Sequence, residues 1–103
     1  MATSLGILIA SDRHFPHVLG LARAASKRGV AVRIFLTHKG VRLVKEPDLP
    51  ELASLARIDL CRHSLEAEGL HPEAAAAVLG AEAISTQARH ADLIYECDRY
   101  LVF

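Results

Sequence analysis

LGILIASDRHFPHVLGLARAASKRGVAVRIFLTH, residues 5–38, decides how this chain folds. Its opening, Leu5 to Ser11, is a continuous apolar run of strand length that stops at a polar Ser-Asp-Arg-His turn, the pattern of a strand buried on both faces. From Phe15 to Arg28 the apolar residues Phe15, Val18, Leu19, Ala22 and Ala25 recur in steps of three and four. Pro16 is tolerated in a first turn and Gly29 stands just past the end, so this segment predicts an amphipathic helix. Val30 to His38 alternates Val30, Val32, Ile34 and Leu36 with Ala31, Arg33, Phe35 and Thr37 and predicts a second strand. A connection this long is not a hairpin, so the two strands are expected to run parallel.

The same alternation continues beyond residue 38. Pro47 and Pro50 break any single long helix, leaving a turn near 41–45 and a helix from about Pro50 to Ala56. RIDLC (57–61) reads as a short third strand, SLEAEG (64–69) as barely two helical turns, and Pro72 to Leu79 as a helix stopped by Gly80. The segment AEAISTQARHADLIYECDRYLVF (81–103) predicts a short strand at 82–85, a helix capped by Ser85 or Thr86, and a terminal strand at 100–103. The expected architecture is one α/β domain over residues 1–103, three-layer α/β/α, around a mainly parallel sheet of about five strands.

Composition narrows the functional classes. Over 103 residues, 51% hydrophobic and 23% charged residues supply a core and argue against disorder. So large an apolar share in a small domain suggests that part of the surface is covered by another subunit. Twelve basic and twelve acidic residues balance to a net charge of zero, with no basic cluster longer than Lys27-Arg28, so nucleic acid is not an expected partner. No run approaches the roughly 20 apolar residues of a membrane span, and MATSLGILIASDRH lacks the basic start and small-residue cleavage site of a signal peptide. The expectation is a cytoplasmic protein, neither membrane-bound nor disulfide-stapled, whose Cys61 and Cys97 are thiols.

In open parallel sheets ligands bind at the carboxyl ends of the strands. Two polar stretches fall there: Ser11-Asp12-Arg13-His14 after the first strand and Cys61-Arg62-His63 after the third. At a strand-to-helix junction, free amides and the positive helix end favour a thiolate on Cys61, with Arg62 or His63 adding to the effect if they turn inward. The alternative is that Cys61 is a small core residue, the commoner fate of a free cysteine. Cys97 follows Ala88, Ala91 and Ile94 at intervals of three, which assigns it to an apolar stripe of the last helix and hence to packing. The six histidines make no HxxxH or CxxC arrangement, and no metal site is expected. Most of them read as surface residues. Glu66 and Glu68 read as a solvated helix face, and Asp12 as a turn former, a helix cap or a general acid. GxGxxG, the P-loop lysine motif and GxSxG are all absent.

In LGILIASD, IDLCRHSLEAEGL and ADLIYECDRYLVF, taken in that order and spacing, the chain resembles the DsrE/DsrF-like family, which includes the TusD-type sulfur-relay subunits. The resemblance covers nearly the full length, although the Pro47–Pro50 stretch departs from the longer helix expected after the second strand. It implies a sulfur carrier or sulfurtransferase in which Cys61 accepts sulfane sulfur as a persulfide and passes it to a partner protein. Arg62, His63 and the Ser11 to His14 loop would then set the acidity of the thiol and the docking surface. It also implies sulfur donor and acceptor proteins as partners, assembly as a homo- or hetero-oligomer (trimer or hexamer), and no cofactor. The competing expectation is a small-ligand-binding or scaffold subunit in which Cys61 only packs.

Overall fold

Residues 3–103 are described by a computed structural model. The first strand, β1 (Ser4–Ile9), turns Ile7 and Ile9 to one face with no exposure at all. Helix α1 (Phe15–Lys27) covers that face through Phe15, Val18, Leu19, Ala22 and Ala25, the five residues picked out by the step pattern. Its chain reverses at Gly29, whose φ of 71° lies in the left-handed region that glycine enters without a Cβ penalty. Strand β2 (Ala31–Leu36) then pairs parallel with β1.

From there a 3-10 segment (His38–Lys45), helix α2 (Leu49–Leu55), strand β3 (Arg57–Cys61), helix α3 (Arg62–Ala67), helix α4 (Pro72–Leu79) and a 3-10 turn (Ala81–Ala83) lead to strand β4 (Ile84–Ser85). Helix α5 (Gln87–Glu96) and strand β5 (Arg99–Val102) complete the chain. All five strands run parallel in the order β4-β3-β2-β1-β5. Three successive crossovers step one way across the sheet and the fourth returns to the far side of β1. Right-handed crossovers of opposite direction place their helices on opposite faces. Accordingly α1 to α4 bury Val18, Leu52, Leu65 and Ala75 against Ile7, Ile34 and Leu60, whereas among the described residues α5 alone covers the other face, where Leu93 meets Phe35 and Cys61. The three-layer α/β/α architecture expected from the alternation is therefore the observed one.

Helix α5 corrects one expectation. Ala88, Ala91 and Ile94 point outward, Ile94 being 48% exposed, and the inner side is formed by Arg89, His90, Leu93 and, just past the helix end, Cys97. With 3.6 residues per turn, a repeat of three drifts by about 60° at each step, so four such positions wind halfway around the helix and cannot form one face. Cys97 does pack against the Phe35 cluster, half-buried, but not as part of that stripe. His90 is half-buried rather than on the surface. Its ring stacks on Phe35 at 5.6 Å, its Nε2 lies 2.8 Å from the Tyr100 hydroxyl, and burial lowers its pKa. The acidic pair also divides: Glu66 is exposed, whereas Glu68 is half-buried and ion-paired with Arg42 at 2.6 Å.

The two edges of β1 are tied down by backbone approach and by charge. Asp98 Oδ2 accepts from the Thr3 amide (2.9 Å) and hydroxyl (2.8 Å) and from the Ser4 hydroxyl and amide, which holds its carboxyl at about 2 and pins the start of β5 to the start of β1. At the other end, buried Gly40 lies against the Ile9 carbonyl, and a Cβ there would collide with that oxygen. Gly40→Ala is expected to destabilise the domain by about 1–3 kcal/mol, as overpacking against backbone does. Gly20→Ala, in the exposed middle of α1 with open space around it, is expected to stabilise by about 0.5–1 kcal/mol. Thermal midpoints moving in opposite directions for the two variants would check both.

Candidate functional site

A crevice forms in an open parallel sheet where adjacent strands send their connections to opposite faces. Here that place lies between β3, which leads into α3 on one face, and β4, which leads into α5 on the other. Cys61 is the last residue of β3 and the residue that precedes α3, and its register partner on β4 is Ser85. The sequence places the thiol at a strand end. The order of strands makes that end the switch point.

Cys61 is 5% exposed and packs on Phe35 and Leu93, yet it forms part of the wall of two cavities. One, of about 620 Å³, faces the 3-10 segment and is lined by Thr37, His38, Lys39, Ser64 and Glu68 among others. The second, of about 470 Å³, opens between the starts of α3 and α5 and is lined by Arg62, Glu66, Ser85 and Thr86. Cys61, His63 and Gln87 belong to both.

The polar groups around the sulfur form one network. Gln87 Nε2 donates to Thr37 Oγ1 at 3.0 Å, Thr37 Oγ1 and Ser64 Oγ lie 3.4 Å apart, and the His38 amide donates to Ser64 Oγ at 3.0 Å. Thr37 and Ser64 are both buried. To present that amide His38 adopts φ 48°, a left-handed conformation unfavourable for a residue with a side chain and characteristic of functional sites. Burial pushes the Cys61 thiol up, but hydrogen bonds from the Ser64 hydroxyl and amide, the Gln87 side-chain amide and the His63 amide outweigh it, so the thiol ionises below its ordinary value. The arrangement can hold a thiolate, the nucleophilic form of cysteine.

Ser64→Ala removes one of those donors. The pH profile of Cys61 alkylation is expected to shift upward and the rate at pH 7 to fall severalfold, because less of the thiol is ionised. A profile unchanged from the parent protein would refute a role for the Ser64 hydroxyl. In the parent protein, stability linked to this thiol is present above the ordinary thiol value of about 8.5 and is lost as pH falls through the lowered folded-state value.

The residues singled out in the sequence separate into two groups. Arg62 and His63 are exposed at the mouth of the Cys61 cavities. Ser11, Asp12, Arg13 and His14 stand at the same carboxyl edge but outside both cavity walls, where Ala10 is the contributor from that side. Ser11 Oγ accepts from the Arg13 amide at 3.4 Å, and His14 lies against His17 and Phe103. Asp12 is joined to the site indirectly, since Arg42 bridges Asp12 Oδ2 (3.3 Å) and Glu68 Oε1 (2.6 Å) and so ties the β1–α1 loop to the end of α3.

Thr37, Ser64, Ser85 and Gln87 were not identified from the sequence. Ser64 carried a local signal, since it stands three residues after a cysteine at a helix start. The other three come from different strands and helices and converge only in the fold. Asp59, a buried carboxylate below Cys61 on the same face, is likewise tertiary in origin and is held by Arg57 and Arg89, each at 3.4 Å. Among the described residues no three His, Cys, Asp or Glu side chains are grouped to hold a metal ion, and no helix is long and apolar enough to cross a membrane. No family model matches the chain, and no curated protein matches it significantly.

Proposed function

We propose that this protein is a sulfur carrier: Cys61 accepts sulfane sulfur as a persulfide and hands it to a partner protein, the role implied by the DsrE/DsrF-like resemblance. The observation that carries the reading is a cysteine at the switch point of the sheet, in the wall of two cavities that it shares with Gln87 and beside the linked Thr37, Ser64 and Gln87 polar network. A carrier of this kind needs an activated thiolate on a rigid strand end and an opening through which a second sulfur reaches it.

The transfer balances without an external oxidant. The Cys61 thiolate attacks the outer sulfur of a donor persulfide, R–S–SH. A new S–S bond forms to Cys61, the donor's S–S bond breaks, and R–S⁻ leaves with the electron pair. The second half repeats the step with an acceptor thiolate attacking the sulfur now on Cys61. The chemistry calls for no cofactor, and its partners are a donor and an acceptor protein. Arg62 at the cavity mouth supplies a cationic rim for docking with His63 beside it as a polar contact, and Asp12 reaches the site only through Arg42. Assembly as a trimer or hexamer and a cytoplasmic location belong to the same reading, and half-exposed Ile94 with solvent-exposed Tyr95 on α5 offers apolar surface for a subunit contact.

One observation favours the competing reading of a small-ligand-binding or scaffold subunit: Cys61 is 5% exposed and sits in the Phe35 and Leu93 cluster. Intact mass after incubation of the reduced protein with a sulfane-sulfur donor separates the two. A carrier gains about 32 Da, one sulfur atom on a reactive thiol. A packing cysteine gains nothing and resists alkylation in the folded state.

A further inference from the structure

The two cavities beside Cys61 differ in what remains unused. On the side of the 3-10 segment, Thr37, His38 and Ser64 bond to one another. On the other side Thr86 accepts from the Ala88 amide as the cap of α5, but Ser85 is different. Ser85 Oγ is out of contact with solvent and has no hydrogen-bond partner among the described residues. Paired residues on parallel strands project from the same face, so this hydroxyl stands beside the Cys61 side chain. A buried hydroxyl without a partner costs free energy that alanine would not, and such a group calls for an explanation. An acceptor that arrives only during the reaction supplies one.

Building on the sulfur-carrier reading, we propose that Ser85 is a second catalytic residue, whose hydroxyl donates a hydrogen bond to the outer sulfur once Cys61 carries a persulfide. The outer sulfur lies one S–S bond, roughly 2 Å, beyond Sγ. The cavity bounded by Arg62 and Ser85 lies on the β4 side of Cys61 and gives the added atom room there. Rotation about the Ser85 Cα–Cβ bond turns its enclosed hydroxyl toward that space, whose wall also carries Arg62, and an O–H donor and a guanidinium are groups that stabilise a sulfur anion. As above, the Cys61–S bond forms as the donor S–S bond breaks. The new persulfide releases its proton to solvent, while Ser85 keeps its own proton throughout. When the acceptor thiolate attacks the outer sulfur, the electron pair of the Cys61 S–S bond returns to Sγ.

The test uses the full chain as wild type, Ser85→Ala and Ser85→Thr, loaded with cysteine persulfide and followed by intact mass, then by release of the sulfur to a small-molecule thiol. Ser85→Ala is expected to match or exceed the wild-type thermal midpoint and to keep the wild-type pH profile of Cys61 alkylation. Its persulfide yield or half-life is expected to fall by about tenfold, the effect of losing one charge-assisted hydrogen bond. Ser85→Thr, which keeps the hydroxyl on a residue suited to a strand, should restore both. Wild-type loading and lifetime in Ser85→Ala would overturn the role of Ser85 while leaving the carrier reading intact. A lowered thermal midpoint in Ser85→Ala would overturn it too, because the hydroxyl would then have a structural partner. Failure of the wild type itself to load overturns the carrier reading and this inference together.

Discussion

Cys61→Ser is expected to lose all sulfur loading, while Cys97→Ser loads as the parent does. A serine hydroxyl does not ionise near neutral pH, so the four donors that stabilise a thiolate have no anion to hold and the nucleophile is gone. The change is close to isosteric, and the Ser64 and Gln87 polar groups on one side of the Phe35 and Leu93 cluster offer the hydroxyl partners, so the fold should persist and the loss should be chemical. Cys97 is half-buried beside Leu93 and Gly6, away from both cavities that Cys61 lines, and none of the donors around Cys61 touches it. Intact mass of the three proteins after donor treatment gives the answer. Sulfur retained on Cys61→Ser, or lost from Cys97→Ser alone, would move the carrier site to the second cysteine.

The largest stability effect is expected from Phe35→Ala. Among the described residues the buried cluster on the α5 face is Phe35, Cys61 and Leu93, with Leu8, Cys97 and Tyr100 packed against it, so removing its largest side chain leaves a cavity at the centre of that layer. Truncations of this kind cost about 3–5 kcal/mol, against a total of about 5–15 kcal/mol for an ordinary domain. The variant should unfold at a much lower denaturant concentration, and alkylation of Cys61 should lose its native pH profile, because Phe35 is part of the floor beneath the thiol. Ile94→Ala provides the contrast. At 48% exposure it should change stability by less than about 0.5 kcal/mol. Equal losses in the two variants would mean that α5 packs through its Ala88, Ala91 and Ile94 side after all.

Fold and site were legible to different depths. The inner face of α1 was read residue for residue, because Phe15, Val18, Leu19, Ala22 and Ala25 answer to one helix lying on one sheet face. Helix α5 was expected where it lies, but its inner face was misread, because a ten-residue helix covering a sheet face buries little and its composition is weakly patterned. Arg89 and His90 face inward there to meet Asp59 and Tyr100, contacts that no local periodicity encodes. Cys61 itself was visible, since a cysteine between an apolar strand and a helical pattern is a local feature. His63 and Ser64 lie within three positions of it, but Gln87 was not visible, because it and the Thr37 hydroxyl it bonds are separated from Cys61 by 26 and 24 positions along the chain.

By itself the sequence determined the alternation of strands and helices, the parallel pairing and the placing of a thiol at a strand end. Each of these follows from periodicity, turn residues and connection length within a short window. Only the tertiary structure decided that β3 and β4 are the neighbours whose helices leave to opposite faces, that Ser64 and Gln87 hold the sulfur, and that Ser85 stands beside it without a partner. Strand order and hydrogen-bond partnership depend on which distant segments come to lie side by side. That is set by how the whole chain buries its apolar faces, not by any one stretch.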